Sequence, residues 1–429
     1  MNGPARITLK LIKRYLPTKQ EFYQNPVGWI SAAWVVSVAI TAILIPRATV
    51  INLALLGLSV LAISVGKKRL PSFPAHPFVA ILAFILILAG SSYFWSIAPA
   101  ETLRRLPRLG LLFLCGLLAL AAVQQATPKI ANKAMTLATV AFSIAVAVIA
   151  IEINFNYILY RTFISLFTQT TQSTYVGGNV INQPALLIAL YLWPVSLALW
   201  LKGYRIISII FIALALVIFT QSRSESVGLA LVCGTLACGL AAMKPRLMKI
   251  WFSLAIICLM LAMPFIPQLL QSLLQGYEKQ IALSGLHRLE IWNFTIDRIL
   301  EHPLLGHGLE ASRIFEGSHT SEFSVLSRII PGASRLPLHP HNGFLQIWLE
   351  LGVAGYGVLG LLCLWIVHKI SQLKGASLAF STGLFVCGLS LFSTAFGMWQ
   401  SWIIAVEFSC AGALLLTLKL GDKSLQNDT

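Results

Sequence analysis

Gly28-Trp-Ile-Ser-Ala-Ala-Trp-Val-Val-Ser-Val-Ala-Ile-Thr-Ala-Ile-Leu-Ile-Pro46 runs for 19 residues without a charged side chain and stops at Arg47. As a helix rising 1.5 Å per residue it covers about 28 Å, close to the hydrocarbon thickness of a bilayer. Eleven comparable runs follow, near 48–66, 77–95, 106–123, 136–154, 184–201, 206–220, 226–243, 250–266, 344–368, 376–396 and 401–418. The composition agrees: 57% of the 429 residues are hydrophobic and 11% charged, where a soluble domain carries about a quarter charged residues. The chain therefore reads as an all-α polytopic membrane protein of about 12 transmembrane helices. Residues 1–429 form a single integral membrane domain in this reading, with no removed signal peptide, because the first run ends in Ile-Pro-Arg and not in a small-residue cleavage site.

Positive charge orients the map. Sorting the basic residues by these runs puts 14 of the 15 lysines on the side of the termini and 11 of the 16 arginines on the other. Lysine excess marks the cytoplasmic face. Both termini are then expected in the cytoplasm, and the opposite face outside it. The net charge of +16 follows from the cytoplasmic lysines, and no basic run interleaved with aromatics calls for nucleic acid. Outward arginines oppose the insertion bias. Arg47 reads as an anchor in lipid headgroups, whereas grouped arginines suit phosphate, whose oxygens a guanidinium matches in pairs. All seven cysteines lie in apolar runs, as small hydrophobes do.

One extramembrane segment is long, residues 267–342 between the ninth and tenth runs, and it holds six of the eight histidines. Connections of that length are usually functional. It opens on the amphipathic stretch Pro267-Gln-Leu-Leu-Gln-Ser-Leu-Leu. The following residues 285–301 predict a helix with Leu289, Trp292, Ile296, Ile299 and Leu300 on one face. Arg288 falls at the edge of that face, which predicts a guanidinium at the lipid–water boundary. His302-Pro303 ends the helix, and Leu338-His339-Pro340-His341-Asn342-Gly343 leads into the tenth run. Asn342 is expected to cap it, placing His341 by the positive end of a helix dipole and keeping its ring neutral and able to accept a proton. A plain polar turn stands beside that reading. Arg223 emerges after the seventh run in Thr220-Gln-Ser-Arg-Ser-Glu, where Glu225 could pair with it. Arg104, Arg105 and Arg161 are further outward arginines of this kind. No phosphate loop, His-Glu-x-x-His or Asp-x-Asp cluster is present, so neither metal nor cofactor is expected.

Ser222-Arg223, Arg288 with Trp292, His302-Pro-Leu-Leu-Gly-His-Gly308, and His339-Pro-His-Asn-Gly-Phe-Leu345 with Glu350 and Gly352 resemble the O-antigen ligase and O-antigen polymerase superfamily. The length and the Arg and His pattern are most similar to its lipopolysaccharide O-antigen ligases. The resemblance implies a GT-C-like glycosyltransferase in the bacterial inner membrane, its active site facing the periplasm and its catalytic residues on the 267–342 loop. An undecaprenyl-diphosphate-linked glycan is the implied donor and lipid A-core the acceptor, with membrane lipids around them. His341 would be the base of an inverting transfer, His339 would orient it or the acceptor, and Arg223 and Arg288, aided by Arg161 and Arg105, would hold the diphosphate. An O-antigen polymerase, a protein O-oligosaccharyltransferase and, from another class, a membrane transporter remain alternatives.

Overall fold

A computed structural model describes residues 15–68, 73, 76–167, 179–220, 225–277, 283–315, 336 and 338–421. Each of the twelve apolar runs is a helix, and no strand occurs among the described residues. The helices described in full begin with α1 (Lys19–Gln24) and α2 (Pro26–Leu44), followed by α3 (Thr49–Gly66), α4 (His76–Ser91), α5 (Pro99–Gln125) and α6 (Pro128–Asn154). After the short α7 (Ile158–Phe167) come α8 (Asn179–Leu201), α9 (Arg205–Thr220), α10 (Glu225–Met243), α11 (Met248–Ala262) and α12 (Ile266–Leu274). The last four are α13 (Leu283–Glu301), α14 (Gly343–Ile370), α15 (Gly375–Thr394) and α16 (Ser401–Leu418).

Nine of these helices are long and apolar enough to cross a bilayer alone, and α11 with α12, bent by 77°, makes a tenth. The 19-residue α2 and the 16-residue α9 are apolar as well. Among the described residues nine or ten helices thus pass as full-length spans, beside about twelve expected; the 16 residues of α9 reach about 24 Å, short of a ~30 Å core. The chain is a polytopic membrane protein. At its centre α8 is the most enclosed span, with Tyr191 and Trp193 fully buried.

The fourth span begins earlier than expected. Pro99 occupies the first turn of α5 and Glu101 favours the positive end of its dipole. Arg104, Arg105 and Arg108 therefore stand on a helix and not in a loop.

The helix expected over 285–301 is α13, but its packed face is rotated. Leu289, Ile291, Thr295, Ile296 and Ile299 are buried, while Leu300 is 65% exposed. On a helical wheel the buried arc spans about 160°, and Arg288 lies about 20° from its centre. Thr295 sits on this face because its hydroxyl donates to the Ile291 carbonyl at 2.6 Å and leaves no unmet polar group. The rotation turns Arg288 towards the protein, not towards the lipid–water boundary.

α14 is broken in its N-terminal half. Gly352 adopts φ +65°, ψ −166° inside the helix, a backbone position in the left-handed half of the map that L side chains rarely reach. Segment 302–308 supplies the hydrogen bonds lost at the break. His307 N–H donates to Leu349 O at 2.8 Å, Gly308 N–H to Glu350 O at 2.9 Å, and Val353 N–H to Pro303 O at 3.0 Å. A Cβ on Gly352 would sit 2.1 Å from Leu304 O, so the contact requires glycine. The two histidine-bearing stretches of the sequence are thereby fastened to one helix.

Candidate functional site

The turn that starts α14 carries both histidines. Asn342 caps the helix, its Oδ1 accepting from Phe344 N–H at 3.0 Å and Leu345 N–H at 3.2 Å. Immediately before it, His341 has φ +55°, a left-handed conformation uncommon for a residue with a side chain. Such strain persists only where surrounding contacts fix it. Here the ring Nδ1 lies 2.7 Å from the carbonyl oxygen of Ala395, and the backbone N–H donates to His339 Nδ1 at 3.3 Å. A carbonyl only accepts, so Nδ1 carries the proton and Nε2 of the neutral ring is left as the acceptor.

Burial is the largest influence on His341 and lowers its pKa from the ordinary 6.5. The Ala395 bond opposes this, and the charges of Arg288 and His287 push the same way as burial. The ring is therefore neutral at pH 7, as expected. Its main cause, however, is desolvation and not the helix dipole.

His339 is a different kind of group. It is 9% exposed and its ring centre lies 4.3 Å from that of His341. Trp402 Nε1–H donates to Gln400 Oε1 at 2.9 Å, which fixes the amide so that Gln400 Nε2 faces His339 Nε2 at 2.9 Å. A neutral ring carries one N–H and so accepts only one of these two contacts, from Gln400 Nε2 or from the His341 N–H, and neither partner offers an acceptor for a second proton. Burial together with the charges of His341 and Arg313 takes its pKa down to about 3. Gly397 makes the close packing possible, since a Cβ there would lie 2.7 Å from the His339 ring.

Arg288 comes to this turn through α13. One helical turn on, Trp292 Nε1–H donates to the carbonyl of Pro340 at 3.0 Å, tying the helix to the His339–His341 backbone. Arg288 is partly buried; desolvation lowers its pKa and the nearby Glu225 carboxylate raises it. Glu225 itself accepts from Ser284 Oγ at 2.5 Å, so it faces the start of α13. Arg223, expected to share the site, lies outside the described residues, as does His319.

The other arginines do not converge in the same way. Arg105 Nε pairs with Glu310 Oε1 at 2.7 Å, and its Nη2 donates to the Trp399 carbonyl. Glu310 also pairs with Arg313. This guanidinium is committed to protein partners, so Arg105 holds structure beside the histidines. Arg161 is exposed on α7, with Asn156 Oδ1 at 3.2 Å. Arg104 is exposed and pairs with Glu101.

The residues that orient the histidines come from the short connection between α15 and α16, Ala395 to Gln400, which the sequence reading passed over. Its one signal was the polar and aromatic Gly397-Met-Trp-Gln400 between two apolar runs. Chemically, the site offers an acceptor nitrogen with a cation nearby, the pairing needed to take a proton from a hydroxyl while an anion departs.

Comparison with known proteins gives a family likeness. Residues 208–360 match the family described as O-Antigen ligase. The chain is 30% identical over 243 residues to the "Putative polysaccharide ligase" of Rickettsia prowazekii (strain Madrid E), covering 54% of this chain and 57% of that protein. A protein of the same description from Rickettsia conorii (strain ATCC VR-613 / Malish 7) is 27% identical over 267 residues, 61% of each chain. The chain thus spans about three fifths of the length of these relatives.

Proposed function

We propose that this O-antigen ligase-like chain is a glycosyltransferase that moves a glycan from undecaprenyl diphosphate to lipid A-core on the periplasmic face of the bacterial inner membrane. The observation that carries the reading is the His341 ring: its Nδ1–H is held by Ala395, its Nε2 is free to accept, and Arg288 is brought to the same turn by Trp292. An external site has no nucleotide sugars, so a donor there arrives activated on a lipid carrier. The acceptor hydroxyl gives its proton to His341 Nε2 as its oxygen attacks the anomeric carbon from the face opposite the diphosphate. The new glycosidic bond forms as the bond to the diphosphate oxygen breaks, and configuration inverts. A sugar hydroxyl is far too weak an acid to ionise beforehand at neutral pH, so proton transfer and departure are concerted. Arg288, with Arg223, offsets the charge that develops on the leaving diphosphate. His339 holds His341 and does not itself take the proton.

Two arginines in this role make a divalent metal unnecessary. Purified protein given lipid-linked glycan and lipid A-core in EDTA is expected to yield glycosylated lipid A-core and free undecaprenyl diphosphate. A longer lipid-linked glycan as the sole product would identify a polymerase. Activity that returned only with Mg²⁺ or Mn²⁺ would overturn the arginine mechanism.

A further inference from the structure

We propose that Glu350 is a positioning residue: it clamps Trp399 and so holds the Ala395–Gln400 connection, whose backbone carbonyl fixes the His341 ring. The inference rests on the reading of His341 as the base and extends it to a segment outside the residues that match the family.

Glu350 is fully buried in the first half of α14. Its two oxygens meet four donors. Oε1 accepts from Ser312 Oγ–H at 2.7 Å and Gln346 Nε2–H at 3.1 Å; Oε2 accepts from Glu310 N–H and Trp399 Nε1–H, each at 2.7 Å. That fills the lone-pair directions of a carboxylate. Gln346, held by Glu350, in turn accepts from Met398 N–H at 2.8 Å. Arg105 takes the carbonyl of Trp399, so this residue is held at both its ring and its backbone.

Three contacts to the histidine pair come from the six residues Ala395 to Gln400. Ala395 provides the carbonyl for His341, Gly397 the space for His339, and Gln400 the amide facing its Nε2. The Gly352 break lies two residues beyond Glu350, where segment 302–308 is fastened. The carboxylate is therefore at the junction of α14, the Glu310–Ser312 turn and the 395–400 connection, and is fully buried there.

Loosening this junction weakens the Ala395 bond on Nδ1–H. That bond favours the protonated ring, so its loss lowers the His341 pKa further. The charged groups facing the ring, Arg288 and His287 on α13 and His339 on its own turn, are unchanged. Glu350→Gln sets an amide NH₂ against two of the four donors, and Trp399→Phe removes one donor while keeping an aromatic ring. For both, kcat for glycan transfer is expected to fall roughly tenfold, the scale of one hydrogen bond, with donor KM within about twofold. The acid limb of the kcat–pH profile is expected to move to lower pH. Parental kcat in Trp399→Phe, or any fall with the limb unmoved, would overturn the proposal; Trp399→Phe decides alone if Glu350→Gln does not accumulate. His341→Ala is measured alongside: if it transfers normally the base assignment fails, whereas its inactivity beside parental Trp399→Phe rejects only the role of Glu350.

Discussion

His341→Ala is expected to lower transfer turnover by roughly 10²- to 10⁴-fold, the usual contribution of a general base, while the donor lipid still binds. Arg288 acts on the ring through its charge, so loss of the ring is expected to leave the proposed donor clamp in place. His339→Ala is expected to cost less. His339 packs against the His341 backbone, 3.3 Å from its N–H, and burial takes its own pKa down to about 3, which fits a support and not an acceptor of protons. Single-turnover rates with bound donor, measured on variants that insert and accumulate like the parent, separate the two. Abolition by His339→Ala with normal transfer in His341→Ala would move the base by two positions.

Arg288→Ala is expected to fail differently, in donor binding as well as turnover. A charge-assisted phosphate contact contributes about 1.5–3 kcal/mol, and this guanidinium is already partly stripped of water. That corresponds to a loss of roughly 10- to 150-fold in donor affinity. Arg288→Lys should recover only part, because ammonium keeps the charge but loses the planar fork. Equilibrium binding of the lipid-linked donor checks this. Unchanged affinity in Arg288→Ala would remove the arginine from the clamp and leave its charge as a modulator of His341 alone.

Much of the fold was written in the sequence, because apolar length and helical period report directly on burial in a bilayer. The runs from 28–46 to 401–418 each became a helix, and the Asn342 cap formed as its side chain required. The fourth span was misjudged at its start, since three arginines look like the end of a membrane helix but are carried here on its N-terminal turns. The wheel of α13 was misread through Thr295. A threonine counts as polar in a sequence, yet one that returns its hydroxyl to the preceding turn packs like a small hydrophobe. Counting it and Ile291 on the buried face carries Arg288 inward and expels Leu300.

Less of the site was legible. The His339–His341 pair and Arg288 stand out by residue type, and the structure brings them to one turn. What fixes them does not stand out, because a backbone carbonyl such as that of Ala395 has no signature in sequence. The neutral state of His341 was anticipated for the wrong leading reason: a helix start can be read from Asn342, but the packing of a turn against α13 and the α15–α16 connection cannot. Arg105 shows the opposite failure. Its residue type suggested phosphate, and only the positions of Glu310 and Trp399 reveal that its guanidinium is already engaged.

The pH dependence of single-turnover transfer, with donor saturating, tests most directly whether neutral His341 takes the acceptor's proton. Desolvation and the Arg288 charge hold its pKa below 6.5, and the base works only unprotonated. The rate should therefore climb through a single ionisation below about pH 6.5 and stay level through pH 8, and this limb should vanish from the residual rate of His341→Ala. An unchanged limb in that variant, or a parental midpoint above pH 7, would contradict the account.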